Sequence, residues 1–214
     1  MTFAREAWPF VLPFVILAAG LFWYRQPAWG GVALVVAFAV LLFFRDPKRH
    51  FDGPAEVIVA AADGVVTRID TYEDPAMGPG RYQRVVTFLS AFDVHIQRVP
   101  ADGEVISAGL KPGRKVAAFR DDAGEVNESF LTVLRLAREG VDGEERLGIR
   151  QISGLMARRV VCYLQAGQAV ERGQHLGLIK FGSRVDLLIP ESYEILVDKG
   201  QRMRNGETPM ARPR

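Results

Sequence analysis

The chain has 214 residues, of which 49% are hydrophobic and 24% are charged, so it can form a packed core and is not wholly disordered. The net charge is only +2, and residues 1–50 hold five basic against two acidic side chains, which leaves a nearly neutral body. Such a body lacks the concentrated basic face of a nucleic-acid-binding protein. The single cysteine, Cys162, excludes an internal disulfide framework and a cysteine-based metal cluster.

The first 44 residues contain two uncharged apolar runs, 8–24 and 28–44, separated only by residues 25–27. As helices, each would span roughly 25 Å, near the lower limit for crossing a hydrocarbon core of ~30 Å. The ends of the runs carry the aromatic residues typical of membrane interfaces: Trp8, Trp23, Tyr24 and Trp29. The pattern predicts a helical hairpin, either spanning twice or re-entrant. A cleaved signal peptide is the alternative, although it would have one shorter apolar core and a small-residue cleavage site.

A basic collar, formed by Arg45, Lys48 and Arg49, follows the second run, whereas the connector between the runs holds only Arg25. The positive-inside rule then places the N-terminus and the body in the cytoplasm. We therefore expect residues 1–50 to be a membrane-anchoring helical hairpin with its collar. Residues 51–214 are expected to form a β-rich domain on the cytoplasmic side of the cell membrane.

The body is rich in short runs of Val, Ile and Phe separated by turn residues such as Asp-Gly and Pro-Gly. The predicted strands are 56–62, 64–70, 84–90, 103–109, 157–164, 176–181 and 183–190. This spacing predicts a mainly β fold, a barrel or sandwich. Residues 130–139 fit either a helix or a strand followed by a hairpin around Asp142 and Gly143. The polar, basic tail, 201–214, is expected to be loosely ordered.

Residues 166–183, AGQAVERGQHLGLIKFGS, resemble a hairpin of lipoyl- or biotinyl-carrying β-sandwiches and of β-rich metallopeptidases. In those folds the glycines permit tight strand crossings. We therefore expect lipoyl-like hairpin elements, but no lysine lies at a carrier-type turn apex. The histidines His50, His95 and His175 lack the spacing of a zinc site, which needs three or four suitable ligands, so no metal is predicted.

Three stretches hold candidate catalytic side chains: Asp63 in AAADGVV, His95 in FLSAFDVHIQRVPADGEV and Ser183 in KFGSRVD. Separately they are typical of an Asp-Gly turn, a core histidine and a turn serine. Taken in order, with FFRDP at 43–47 after the hairpin, they resemble the short bacterial form of phosphatidylserine decarboxylase. The resemblance extends from about residue 43 to residue 190.

The resemblance implies a self-processing proenzyme that cleaves the bond between Gly182 and Ser183 into a β chain, 1–182, and an α chain, 183–214. Ser183 would become a covalent pyruvoyl cofactor. The Oγ must attack the preceding carbonyl, and only serine yields pyruvoyl after β-elimination. A weak hydroxyl nucleophile needs a base and the base needs an orienting group, so the implied roles are base for His95 and orienting group for Asp63.

The implied reaction converts phosphatidylserine to phosphatidylethanolamine and CO2 through a Schiff base on the pyruvoyl group, which accepts the released electrons. The implied partners are a phospholipid substrate, the membrane, the α and β chains and a second copy of the protein. Long-form relatives have a second histidine three positions after the first. Arg98 stands there in this sequence, so the step that His95 serves is open.

Two alternatives stay open at the level of sequence. One is a decarboxylase for an archaetidylserine-type lipid. The other is a non-enzymatic, membrane-anchored β-sandwich adaptor, which would leave the chain uncleaved and give His95 no role.

Overall fold

The structure, a computed structural model, describes residues 1–114, 116, 123–137, 144–154, 160–180 and 183–214. The chain forms two compact units, Met1–Lys48 and Arg49–Arg214. The first is helical and the second is built mostly from β-strands, so the expected mainly β fold with N-terminal hydrophobic helices is confirmed.

The N-terminal unit consists of helices α1 (Trp8–Trp23) and α2 (Pro27–Phe43), which pack against each other. A proline at the start of each helix suits the position, because the first N–H groups of a helix have no intrahelical acceptor. Strands β1 (Thr2–Phe3) and β2 (Arg45–Asp46) form a short antiparallel ladder. Within the described residues, Arg5–Trp23 is the one helical stretch long and apolar enough to cross a membrane.

Among its described residues, the β-rich unit contains a short α-helix, α3 (Ala123–Val126), a 3-10 helix at Pro75–Met77 and a series of strands. In chain order the strands are β3 (Ile58–Val59), β4 (Gly64–Tyr72), β5 (Tyr82–Leu89), β6 (Ile96–Arg98), β7 (Gly103–Lys111), β8 (Ser129–Leu136), β9 (Arg146–Ser153), β10 (Val160–Cys162), β11 (Ala169–Val170), β12 (His175–Ile179), β13 (Ser183–Pro190), β14 (Tyr193–Ile195), β15 (Arg202–Met203) and β16 (Pro209–Pro213).

These strands form an eight-stranded antiparallel sheet in the order β11-β7-β8-β9-β13-β5-β4-β15 and two three-stranded sheets, β10-β12-β6 and β14-β16-β3. Strand β13 lies between β5 and β9, and Ser183–Ile189 are buried. Its alternate residues Val185, Leu187 and Ile189 enter the main core, together with side chains from the smaller sheets. We call this side of the large sheet the inner face.

Two similar hairpins pack against β7 and β4, respectively, and against the segment that precedes each of these strands. Each contains two glycines six residues apart with positive φ, a backbone region that favours glycine. The glycine N–H groups donate to carbonyls that are also six residues apart: Gly167 to Val105 and Gly173 to Val99 in the first hairpin, Gly200 to Val66 and Gly206 to Ala60 in the second. A hairpin is therefore present within the described part of 166–183, and a second, similar hairpin follows it at 199–207. The likeness to lipoyl-carrying folds stays a prediction.

The second hairpin shows that the prediction of a loose C-terminal tail was wrong. Strands β15 and β16 pair with β4 and β3, and the core contains Met203, Met210 and Ala211. The charged side chains between them, such as Arg202 and Arg204, point largely to solvent. The apolar side chains of the tail therefore point into the core and its charged side chains point to solvent, a division that the overall composition does not reveal.

Residues 130–139 illustrate an ambiguity that tertiary pairing resolves. Strand β8 covers most of this run and pairs with β7 and β9, so the strand alternative is confirmed. The predicted turn at Asp142 and Gly143 lies outside the described residues. Cys162, on β10, is half buried, and burial raises the pKa of its thiol.

A buried ion pair lies on the other face of β13. Both guanidinium nitrogens of Arg184 that face Asp186 donate to its carboxylate, with Nε–Oδ1 and Nη2–Oδ2 distances of 2.6 and 2.8 Å. Both side chains are at most 3% exposed. A bidentate pair satisfies both charges where water cannot reach them.

We predict that Arg184→Met will lower the free energy of unfolding by about 3–5 kcal/mol, because the Asp186 carboxylate stays buried without its partner. Thermal and urea unfolding in detergent micelles would measure the loss. The double variant Arg184→Met/Asp186→Leu should recover most of it, since no uncompensated charge is left. Wild-type stability of the single variant would contradict the prediction.

Candidate active site

Ser183 is the first residue of β13 and pairs with Leu89 on β5 and with Ser153 on β9. Strand β12, which precedes it, belongs to a different sheet. The chain therefore passes from one sheet to another between Ile179 and Ser183, and β12 and β13 do not form a simple hairpin. Gly182, the other residue of the predicted cleavage site, lies outside the described residues.

The Ser183 side chain is fully buried, on the inner face it shares with Val185. Among the described residues its Oγ has no hydrogen-bond partner. An unsatisfied buried hydroxyl costs about 1–3 kcal/mol, so such a group calls for an explanation such as a catalytic role. The position and state of Ser183 suit a nucleophile kept away from water.

His95 is 1% exposed, and its Nδ1 lies 2.9 Å from the carbonyl oxygen of Asp93. A carbonyl can only accept, so this hydrogen bond requires the proton on Nδ1 and makes Nε2 the basic nitrogen of the neutral ring. The Asp93 carboxylate accepts from the backbone N–H and the hydroxyl of Ser90, at 2.8 and 2.7 Å, and also binds Arg202. This loop begins directly after Leu89, the neighbour of Ser183.

A chain of buried amides holds the His95 backbone from the other side. The His95 carbonyl accepts from Gln97 Nε2 at 2.8 Å, and Gln97 Oε1 accepts from Gln151 Nε2 at 2.9 Å. Gln151 lies on β9, two residues before Ser153, which pairs with Ser183. The segment of His95 is thus attached to both strands that flank Ser183.

Asp63 is buried between a backbone donor and a guanidinium. Its Oδ1 accepts from the N–H of Asn205 at 2.8 Å and its Oδ2 from Arg49 Nη2 at 3.0 Å. Arg49 also binds Glu207, and its side chain is only 10% exposed. The expectation that Arg49 belongs to a basic collar at the membrane is therefore corrected: its guanidinium is committed to two carboxylates of the β-rich unit.

Asn205 connects two of the predicted site residues. While its N–H binds Asp63, its side-chain Nδ2 donates to the carbonyl of Ile96, the residue after His95, at 2.8 Å. The side chain is almost fully buried. Asp63 and the segment of His95 are therefore brought together around one residue of the C-terminal hairpin.

The repeated hairpins explain why Asp63 occupies this place. In the first hairpin, Asp102 Oδ1 accepts from the N–H of Arg172 at 2.6 Å, just as Asp63 accepts from Asn205 in the second. Each aspartate precedes a glycine that begins a long strand. The Asp-Gly turn is thus a shared structural feature, and Asp63 differs in being additionally bound by Arg49.

Sequence reasoning missed Arg49 and Asn205 as parts of the site. The similarity of KGQRMRNGE (199–207) to AGQAVERGQ (166–174) is the signal that could have identified the second hairpin, and with it Asn205.

Arg98 and Asn127 have structural contacts. Arg98 Nη1 donates to the carbonyl of Gly173 at 2.9 Å. Asn127 Nδ2 donates to the carbonyl of Ser153 at 2.7 Å, and its amide also binds both backbone groups of Val116.

No group of three or more His, Cys, Asp or Glu side chains suited to a metal ion occurs within the part of the chain that the structure describes.

Comparison with known proteins gives one consistent family. The family model described as phosphatidylserine decarboxylase matches residues 36–211. A protein of Symbiobacterium thermophilum is 40% identical over 98% of this chain and 94% of its own length. Proteins of Syntrophus aciditrophicus and Gluconobacter oxydans are 36% and 40% identical, each over 97% of this chain and over 95% and 93% of their own lengths. All three are named phosphatidylserine decarboxylase proenzyme.

The two carboxylate partners of Arg49, Asp63 and Glu207, differ in burial, and this difference leads to a prediction. Arg49→Met should lower the free energy of unfolding by about 3–5 kcal/mol, because the buried Asp63 carboxylate loses its guanidinium. Glu207→Gln should cost at most about 1 kcal/mol, since the Glu207 side chain is 31% exposed and water can replace its partner. Thermal unfolding in detergent micelles compares the two. Equal losses would show that Asp63 does not depend on Arg49.

Proposed function

The chain belongs to the phosphatidylserine decarboxylase family, and we propose that it cleaves itself between Gly182 and Ser183 and then converts phosphatidylserine to phosphatidylethanolamine and CO2. The observation that carries the proposal is the fully buried Ser183 hydroxyl, which has no hydrogen-bond partner among the described residues and stands at the start of a central strand. The names of the relatives identify the substrate.

Water is the only co-reactant that the proposed self-processing needs. Ser183 Oγ attacks the carbonyl carbon of Gly182, and the acyl group moves from nitrogen to oxygen. Removal of the Ser183 Cα proton then expels Gly182 as a carboxylate that retains the Oγ atom. The dehydroalanine left at position 183 tautomerises to an imine, water hydrolyses the imine, and ammonia leaves. A pyruvoyl group then precedes residue 184.

We assign the proton transfers of this sequence to His95. Its Nδ1 is occupied by the Asp93 carbonyl, so Nε2 is the nitrogen that can take a proton from a hydroxyl and later return one. Asp63 is assigned the orienting role, which its connection to the His95 segment through Asn205 supports. Arg49 would keep the Asp63 carboxylate charged and fixed.

The residues around position 183 fit a pyruvoyl group. The group is small and uncharged, and it would replace a side chain on an inner face lined by Val185 and Leu89. When formed, it supplies an electron sink for the electrons released as CO2 leaves. The antiparallel pairing of β13 with β5 and β9 would hold the α chain in place after the bond is cut.

We further propose that residues 1–50 anchor the chain in the cell membrane and that residues 51–214 form the decarboxylase domain on its cytoplasmic side. The apolar stretch Arg5–Trp23 supports the anchor, and Arg45 and Lys48 support the orientation. An anchor of this kind would keep the domain beside a lipid substrate. Association with a second copy of the protein stays a prediction from the family resemblance.

A denaturing mass spectrum of the purified wild-type protein tests the proposal. We expect two species, residues 1–182 and residues 184–214 preceded by pyruvoyl, together with release of CO2 from phosphatidylserine in mixed micelles. Ser183→Ala should give one full-length species and no CO2, because the attacking oxygen is absent. A wild-type protein that stays at full-length mass would instead favour a membrane-anchored adaptor.

Asp102, in the equivalent turn of the first hairpin, provides a control for the role of Asp63. Asp63→Asn should slow the appearance of the two fragments by about 100-fold, because the base loses the charge that orients it. Asp102→Asn removes the same charge from the equivalent turn of the first hairpin and should leave the rate unchanged. Time-resolved gels after cell-free synthesis measure both rates. Equal effects of the two substitutions would reduce Asp63 to a turn residue.

A further inference from the structure

A second buried hydroxyl lies beside Ser183. Ser153 pairs with Ser183 across β9 and β13, so both side chains are on the inner face of the sheet. Both residues are fully buried, and the Oγ atoms of both lack a hydrogen-bond partner among the described residues. The resemblance to the family assigns no role to Ser153.

The backbone contacts of Ser153 show how close the two side chains are. Its N–H donates to the carbonyl of Glu128 at 2.9 Å, and its carbonyl accepts from Asn127 Nδ2 at 2.7 Å. Both backbone groups therefore point away from β13. Ser153 and Ser183 thus form a non-hydrogen-bonded pair, the type in which Cα atoms are only about 4.5 Å apart and side chains are closest.

At this separation, rotation about the side-chain torsion of either serine can bring the two oxygens to hydrogen-bonding distance, about 2.7–2.8 Å. A hydroxyl can donate and accept. When Ser183 gives up its proton, its Oγ gains negative charge in a site closed to bulk solvent. A hydroxyl that donates to such an oxygen forms a charge-assisted hydrogen bond, which is stronger than a neutral one.

We propose that Ser153 is a positioning residue for self-processing, and that its hydroxyl binds the Ser183 Oγ as this oxygen attacks the Gly182 carbonyl. The inference rests on the proposed function and adds a residue to it. The fixed backbone of Ser153, held by Asn127 and Glu128, keeps the hydroxyl in place while the chain is cut. The Asn127 side chain would then act on the reacting atoms only through Ser153.

The test follows conversion of full-length chain into fragments after cell-free synthesis into phosphatidylglycerol-containing vesicles. Ser153→Ala should slow conversion by about ten- to a hundredfold, the range for one hydrogen bond to a charged group. Ser153→Thr, which keeps the hydroxyl, should convert faster than Ser153→Val, which has the same shape without it. Ser129→Ala, at a buried serine of the neighbouring strand β8, should convert at the wild-type rate.

Thermal unfolding separates positioning from folding. In the uncleaved Ser183→Ala background, Ser153→Ala should not lower the melting temperature, because the hydroxyl it removes has no partner there. A lower melting temperature, or equal rates for the threonine and valine variants, would make Ser153 a packing residue and overturn the inference. A wild-type rate for Ser153→Ala would overturn it while the proposed function stands. Failure of the wild-type chain to cleave would overturn both.

Discussion

The pairing of β13 along both of its edges is the constraint on which the candidate site depends. Eight residues of β13 pair with β5 and six pair with β9, and both faces of the strand are covered. Ser183 stands at the first position of this strand. After a cut before Ser183, Arg184–Pro190 would keep their pairings with β5 and Arg184–Leu188 would keep theirs with β9, so the molecule could lose a peptide bond at its centre without losing its core.

The same constraint makes the C-terminal segment part of the site. After a cut before Ser183, Asn205 and Glu207 would belong to a separate chain, yet their partners Asp63 and Arg49 would stay on the other. These contacts join residues 142 and 158 positions apart. The C-terminal segment therefore does two things: it contributes Met203 and Met210 to the core, and it brings a backbone donor to Asp63.

The residue types and their order along the chain were enough to identify Ser183, His95 and Asp63 as candidates. The strand-rich body could be predicted from its short apolar runs and the turn residues between them. Arg49 was misread because a basic residue after an apolar run is typical of a membrane collar, and nothing local reveals a carboxylate partner 14 residues later. Ser153 was missed for a different reason. A serine within an apolar strand reads as a small core residue until the register places it opposite Ser183.

The complete burial of Ser183 separates the two reactions that the proposed function requires. The acyl shift and the elimination that cut the chain are unimolecular, so these steps need no entry path, and exclusion of water strengthens each hydrogen bond to the attacking oxygen. Decarboxylation needs a lipid amine to reach the same position. A residue that is 0% exposed in the intact chain suits the first reaction and not the second. On this argument, cutting the chain would have to open the path to position 183 as well as create the cofactor there, which would be a physical reason to make such an enzyme as a proenzyme.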